Sequence, residues 1–509
     1  MTKYLLLILG VLLTACNPDT FLVQTDPNAV ASFDYYRTEN DVLLGLNGVY
    51  QSLRNNNGIA EGSSLFSEER SDNTGRNDAQ SNAGEPFQFN DFSLLASNSN
   101  LRSHWGALYQ TITRSNQVLA GMETVTFSAA NANLKLQYAA EAKFLRALMY
   151  FHLVRKFGDV PLVTSPLNTA DEVKASTFRV KRETVYAQIV TDLQEAAASP
   201  LPNLQPLTGK GRVSKAAANA LLGQVYLTMA TTLDAAGRAD NLNRAKAVLT
   251  TAYSMRTFGL LREIPYADVF DVTKKSTNAE VIFQIVYRQG DANYASSIAA
   301  NNQAQGETVN SLRPATGPGA NVTPDLVKDY EEGDLRKDFS IKYANAANVR
   351  DWFVTKFRDA SAAAGVLGYG GNDWTLIRYA DVILMLAETN QLLGDEMAAI
   401  ALLDQVRDRA KMPLYAASRT NASYNAKYPT LKLAILHERR VELAFENHRW
   451  FDLLRAFSPV ELAAYFQAKS QPDFGAARLI NVGTKDYFYP IPLDEVKLNP
   501  ERMYQNPGY

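Results

Sequence analysis

The sequence predicts a helix-dominated fold carrying tetratricopeptide-like hairpins. Two observations carry that expectation. Apolar residues recur at helical spacing through much of the chain, and two stretches about 165 residues apart repeat the pattern of a tetratricopeptide hairpin. A third observation, the long polar stretches between the helical ones, predicts that the hairpins carry a looped face.

Val42, Leu43, Leu46, Val49, Tyr50 and Leu53 share one face of a helix running from Glu39 to Leu53. Residues 55–100 break the pattern with Asn, Ser, Gly and Asp, as in Ser71-Asp72-Asn73-Thr74-Gly75-Arg76-Asn77-Asp78. Helical spacing returns near 101, where Trp105, Leu108, Tyr109, Ile112 and Asn116 align and Trp105 reads as core. A second long helix over 134–157 ends at Gly158, and a third runs from about Arg182 to Ala198. Leu222-Gly223-Gln224-Val225-Tyr226 then matches the Leu-Gly-x-x-Tyr core of a tetratricopeptide first helix. Ala245, Leu249 and Ala252 supply the partner helix. Leu386-Ala387, Gly394 and then Ala399, Leu403 and Val406 repeat that arrangement. Small residues at these places let two helices cross closely. Between the matches, Val281–Tyr287 reads as a strand, and 288–323 as a second polar loop. A strongly amphipathic helix is expected over about 430–457. The tail, with Tyr489-Pro490-Ile491-Pro492 and Asn506-Pro507-Gly508-Tyr509, reads as an extended segment pinned on the body.

The N-terminus predicts the compartment. Lys3 precedes an apolar run, Tyr4 to Leu13, that is too short to cross a hydrocarbon core of roughly 30 Å. Leu13-Thr14-Ala15-Cys16 follows, and this resembles the lipobox of bacterial lipoproteins. Cys16 is the one cysteine of the chain, so it is read as the lipidation site (palmitate and its companions). Acyl chains anchor firmly, since each buried methylene contributes about 0.8 kcal/mol. The expected organisation is a signal peptide over 1–15, a lipidated tether over 16–38 and one body over 39–509. The tether reads as extended because of Pro18 and Pro27. The 51 basic and 53 acidic residues nearly cancel without a block of either sign, which argues against nucleic acid as a partner. With 25 Tyr, 23 Phe and 4 Trp beside abundant Asn, the composition suits carbohydrate: rings stack on sugar faces and amides satisfy hydroxyls.

Catalytic chemistry finds little support. His437-Glu438 lacks the second histidine that a zinc-protease helix needs at position 441, which is Val, and the four histidines are scattered. Glu438, Glu442 and Glu446 at i,i+4 spacing, interleaved with Arg439 and Arg440, read as a helix laced with ion pairs. Arg378 and Asp381 are read as structural too. Neither a Gly-x-Ser-x-Gly elbow nor a phosphate loop occurs. No catalytic or metal site is therefore expected, and no cofactor. A structural calcium stays open, because an Asp/Asn-rich loop has the oxygen ligands but not EF-hand spacing. The candidate ligand contacts lie on the loops: Asp72, Asn73, Arg76, Phe92, Asn98 and Asn100 in the first, Tyr294 and Asn301 in the second, and Tyr369 and Trp374 in a third group.

Several motifs in order resemble the SusD/RagB family, the nutrient-binding outer-membrane lipoproteins of Bacteroidota. They are the Cys16 lipobox, Phe144-Leu145-Arg146-Ala147-Leu148-Met149-Tyr150-Phe151 with Phe157-Gly158-Asp159-Val160-Pro161-Leu162, Arg378-Tyr379-Ala380-Asp381 through Glu388, His437-Glu438-Arg439-Arg440 through Glu446, and the Tyr489-Pro490-Ile491-Pro492 ending. The resemblance covers nearly the whole length. It implies an all-α, SusD-like fold: tetratricopeptide-like hairpins over about 134–256 and 376–457, packed against a loop-rich ligand face over about 55–100 and 288–375. It also implies a location at the cell surface, lipid-anchored in the outer membrane, and a SusC-like TonB-dependent transporter as partner in polysaccharide utilization. The expected ligand is a glycan. An oligopeptide, an envelope glycoside hydrolase and a pure protein-binding scaffold remain as alternatives.

Overall fold

The structure is a computed structural model that describes residues 35–75, 84–206, 209, 211–233, 235–314, 321–346, 349–367, 369–474, 479 and 481–509. Cys16 and Arg76 lie outside the described residues.

Helix α1, Glu39–Ser52, starts at Thr38, whose hydroxyl accepts from Asp41 N while the Asp41 carboxylate reaches back, a reciprocal cap. Two long helices follow, α2 (Ser99–Thr124) and α3 (Ala132–Phe157). Gly158 ends α3 at φ +72°, a conformation that favours glycine. Then come α4 (Arg182–Ala198), α5 (Lys215–Thr232) and α6 (Arg238–Ser254). Trp105 is buried, as its helix face predicts.

The first tetratricopeptide-like match is the α5–α6 hairpin. A Cβ on Gly223 would stand 2.4 Å from Leu249 Cγ, so the glycine is what lets the two helices touch. The second match is the hairpin of α7 (Tyr379–Leu392) and α8 (Glu396–Arg409). Gly394, at φ +84°, turns the chain between them, and Ala387, Ala399, Leu403 and Val406 close a shared apolar seam. Neighbouring helices pack in sequence, α3 on α4, α4 on α5, α5 on α6 and α6 on α7, so the hairpins stack.

The segment between α6 and α7 leaves this stack and forms the loop face. Strand β1 (Val281–Ile285) occurs where the sequence predicts it. Strands β2 (Ile341–Ala346) and β3 (Val349–Val354) form an antiparallel hairpin with Tyr343 opposite Trp352. This hairpin stands where a loop-rich face is expected over 288–375. Strand β4 (Trp374–Arg378) pairs antiparallel with β1 and leads directly into α7.

The amphipathic helix expected over 430–457 is two helices, α9 (Leu431–Glu442) and α10 (Arg449–Ala456). Between them Phe445 and Asn447 adopt φ +69° and +65°. Such backbone costs on the order of 1–3 kcal/mol per residue and persists only where surroundings enforce it. Here Arg378 enforces it. Its Nη2 donates to Glu442 O, a carbonyl at the end of α9, at 2.9 Å, while its Nε and Nη2 hold Glu446. Helix α11 (Pro459–Gln467) follows. The tail is pinned as expected: Tyr489 N donates to Lys156 O, and Asn506 Nδ2 donates to Phe157 O and Tyr489 O.

Candidate functional site

The acidic and basic residues of α9 are structural, but they do not pair along the helix. Their partners come from other elements, and all are buried except the half-buried Asp325 and Asp329. Glu438 accepts from Arg336 at 2.6 Å and Arg407 at 2.9 Å. Glu442 accepts from Arg378, Arg336 and Arg409. Arg440 reaches Asp325 and Asp329, and Arg439 reaches Asp381 and Asp452. The i,i+4 carboxylates share an interior face, so each meets arginines from the loop insertion and α8. Arg378 and Lys356 hold Glu446 down to about 2, Arg409, Arg378 and Arg336 hold Glu442 lower still, and Arg439 and Arg455 hold Asp452 down to about 2, although burial alone would raise all three.

Several sequence-predicted contacts belong to this frame. Asp72 is fully buried and takes a two-pronged grip from Arg449, at 2.7 and 2.9 Å, plus the Tyr465 hydroxyl. Asn73 is buried between Arg440 Nε and Glu68. Phe92 packs against Phe466 and Trp450 inside the core. Asn98 is buried as the N-cap of α2, accepting from Asn100 N and Leu101 N. These four were expected as exposed loop contacts, and the correction has one cause. The segments that carry them fold inward, so Asp72, Asn73 and Asn98 satisfy interior partners and Phe92 fills the core. Asn100 remains half-buried at the start of α2.

A different subset comes together. Ser296 and Gly370 exchange backbone hydrogen bonds, at 2.9 and 2.5 Å, which sets the Tyr294 and Tyr369 segments side by side. Glu61 ties this pair to the first loop. It accepts from the Ser296 hydroxyl and from Ser297 N and Oγ. Tyr294 stands 40 % exposed with the Arg54 guanidinium 4.4 Å from its ring centroid. Beside these segments lies a cleft of about 200 Å³. Asn301, Asn302, Asn321, Ser64, Glu69 and Thr74 line its polar wall, and Ile298, Val354, Trp374 and Phe445 its apolar wall. Trp374 is only 3 % exposed, so its ring shapes the wall more than it offers a stacking face.

Burial pushes the two inner carboxyls up: Glu61 is raised, and Glu68 reaches about 7. Glu68 accepts from Asn73 Nδ2 and Asn447 N, at 2.9 Å each. Neither lysine nor arginine lines the cleft among the described residues. Among the described residues no group of three His, Cys, Asp or Glu side chains is placed to hold a metal ion.

Sequence reasoning missed the pair Tyr343 and Trp352. Their rings meet edge to face at 5.5 Å on the β2–β3 hairpin, and Tyr343 is 46 % exposed. Trp352 O accepts from Val322 N, next to the cleft residue Asn321. Alternating aromatics on facing strands would have signalled the hairpin. A larger cavity, about 560 Å³, is lined by hairpin residues of α5, α7, α9 and α10. Its inner charges neutralise one another, Glu388 with Arg455 and Asp452 with Arg439, so size alone does not make it the better ligand site.

Known proteins resemble the chain over its full length. A family model described as the SusD family matches residues 340–509, and one described as starch-binding associating with outer membrane matches 23–227. The chain is 27% identical to SusD-like protein P2 of Formosa agariphila, with 100% of both chains covered. It is 25% identical to a SusD-like protein of Bacteroides ovatus, covering 74% of this chain and 70% of that one. Among solved structures, a laminarin-binding SusD-like protein superposes with a TM-score of 0.72 at 28% identity, over 93% of this chain and 100% of the other. The surface glycan-binding protein A of Bacteroides fluxus shares the fold, with a TM-score of 0.73 at 22% identity, over 93% of this chain and 100% of the other.

Proposed function

This chain belongs to the SusD/RagB family, and on that footing we propose that it captures neutral oligosaccharides in the loop-face cleft, without cleaving them, and hands them to a TonB-dependent outer-membrane transporter. The observation that carries the reading is the cleft wall: asparagine amides and hydroxyls beside apolar groups, with carboxylates and, among the described residues, no lysine or arginine in the lining. Amides and hydroxyls match sugar hydroxyls, and exposed Tyr294 and Tyr343 offer flat faces for stacking. With no lysine or arginine in the lining among the described residues, uronic acids and sulfated sugars find no counter-charge there. The laminarin-binding relative supports a neutral glycan.

Binding rather than hydrolysis is favoured by what the inner carboxyls do. Hydrolysis of a glycosidic bond needs two carboxyls facing each other across the substrate, roughly 5–10 Å apart. Glu61 and Glu68 are instead occupied by loop hydroxyls, an amide and backbone N–H groups.

Titration calorimetry of the Cys16→Ala protein tests the proposal against laminarin and starch oligosaccharides, acidic glycans and oligopeptides. The expected result is binding to neutral oligosaccharides, weakened in Asn301→Ala and Tyr294→Ala. Binding to peptides alone would overturn the ligand class, and glycan turnover would overturn the binding role. In cells, Cys16→Ala is expected to abolish uptake while leaving affinity in solution unchanged. Normal uptake by the unanchored protein would overturn the tether.

A further inference from the structure

Three of the four histidines, far apart in sequence, converge in the folded chain. His152 and His448 line a cavity of about 50 Å³ together with Arg155 and Lys156. His104 stands behind, its Nε2 2.8 Å from Lys156 Nζ. We propose that this cavity is a binding site for a small monovalent anion, with chloride as the ion it takes, held between Arg155 and Lys156.

Arg155 is buried, its guanidinium sandwiched 3.8 Å from the centroids of both Phe151 and Phe451. It donates Nε to Phe151 O at 3.2 Å, and among the described residues its terminal nitrogens find no partner. Among the described residues Lys156, adjacent and 2 % exposed, has His104 as its one side-chain hydrogen-bond partner. His104 Nδ1 lies 2.5 Å from Asn57 O, so Nδ1 carries the proton and Nε2 accepts from the lysine. That histidine is neutral and brings no negative charge. Among the described residues, neither Arg155 nor Lys156 has a carboxylate within ion-pair reach, in contrast to the paired arginines of the nearby network. An unpaired buried cation is costly, and adjacent cations raise that cost. Burial and the neighbouring Arg155 accordingly drive Lys156 well below the usual lysine range.

The one carboxylate on the cavity wall does not relieve this. Both oxygens of Glu446 are held, Oε1 by Lys356 and Arg378 and Oε2 by Arg378. Other wall residues carry buried polar atoms without partners: Ser67 Oγ, His152 Nδ1 and Asn447 Oδ1. The first two can donate to an anion, and the third suits a water accompanying it. The volume fits that pair, since a water occupies ~30 Å³ in the liquid. The site joins α3 to the α9–α10 turn and shares only Trp374 with the lining of the cleft, so it does not depend on the glycan reading.

Crystals of the Cys16→Ala protein grown in sodium bromide provide the test. An anomalous peak in the cavity between Arg155 and Lys156 is expected, and its absence would overturn the proposal. In solution, the melting temperature is expected to rise saturably in sodium chloride relative to sodium gluconate at equal ionic strength. Lys156→Met is expected to abolish that difference. If the variant does not fold, the wild-type comparison decides: equal melting temperatures in the two salts overturn the site. A bromide peak without a chloride effect means binding at crystal concentration only, which also overturns it.

Discussion

Arg378 and Glu446 meet in a two-pronged ion pair, Nε to Oε2 and Nη2 to Oε1, both at 2.7 Å, with neither side chain reaching solvent. The pair spans the join between the loop insertion and the hairpin stack, and it holds the left-handed backbone at Phe445 and Asn447. Removing one partner strands the other charge in the interior, which costs about 3–5 kcal/mol. Arg378→Met is therefore expected to lower the denaturant midpoint sharply. A shift worth less than about 1 kcal/mol would show the pair to be marginal.

Acid should unfold this protein steeply. Glu446 and Asp452 are held near 2 by buried arginines, below ordinary values of 4.5 and 3.8. A depressed folded value contributes stability that is fully present above the ordinary value and is lost as pH falls toward the folded one. Each such group contributes on the order of 3 kcal/mol. Denaturation midpoints measured from pH 6 to 2 should fall mainly between about 4.5 and 2. A flat profile across that window would contradict the network.

Glu68 predicts the opposite slope at higher pH. Its folded value, about 7, lies above the ordinary 4.5 because burial outweighs its two hydrogen bonds. Between those values the unfolded chain releases a proton that the folded chain keeps. Stability therefore drops as pH rises from about 4.5 to 7 and levels off beyond. Glu68→Gln should lose this component. Melting temperatures of the two proteins at pH 5 and pH 8 check it, and parallel changes in both would refute it.

Gly223 admits no side chain. A methyl there would overlap Leu249, with contacts at 2.4 and 2.5 Å, and forced overpacking costs typically 1–3 kcal/mol. Gly223→Ala should destabilise by about that much. Gly483, which has open space around its Cβ position, is the control: Ala there should be close to neutral.

Frame and cleft residues should separate cleanly. Asp72→Asn weakens the anchor of Arg449, Arg440 and Lys469, so it should cost several kcal/mol of stability. Asn301→Ala should leave the melting temperature within about 1 °C, because Asn301 is exposed and Ser297 Oγ is its side-chain partner. Its effect should appear in glycan affinity. Equal destabilisation by both would dissolve the distinction.

The helical frame was legible because its signals are local. Period 3.6, the Leu-Gly pair at 222–223 and the turn at Gly394 depend on neighbours within a few residues. The strand at 281–285 was legible for the same reason. What escaped depends on distance in sequence. Asp72 looks like a loop aspartate until Arg449, 377 residues away, closes on it. The helix expected over 430–457 breaks because Arg378 supplies a reason that α9 itself does not contain. The cleft was legible only in part: Asn301 and Trp374 line it and Tyr294 and Tyr369 sit on the paired segments beside it, whereas Tyr343 and Trp352 needed a strand register to become a pair.

The reversal at Phe445–Asn447 makes one short segment answer to three neighbours at once. Phe445 is cleft wall, Glu446 is locked to Arg378, and Asn447 N holds Glu68. A receptor built this way does not mould itself to its guest. Widening the cleft there would dismantle buried ion pairs, so the entropy of ordering that wall is settled before any sugar arrives. Adaptation to a new ligand must come from the other bank, the stretch carrying Tyr294, Asn301 and Tyr343, where replacements leave the interior charges undisturbed.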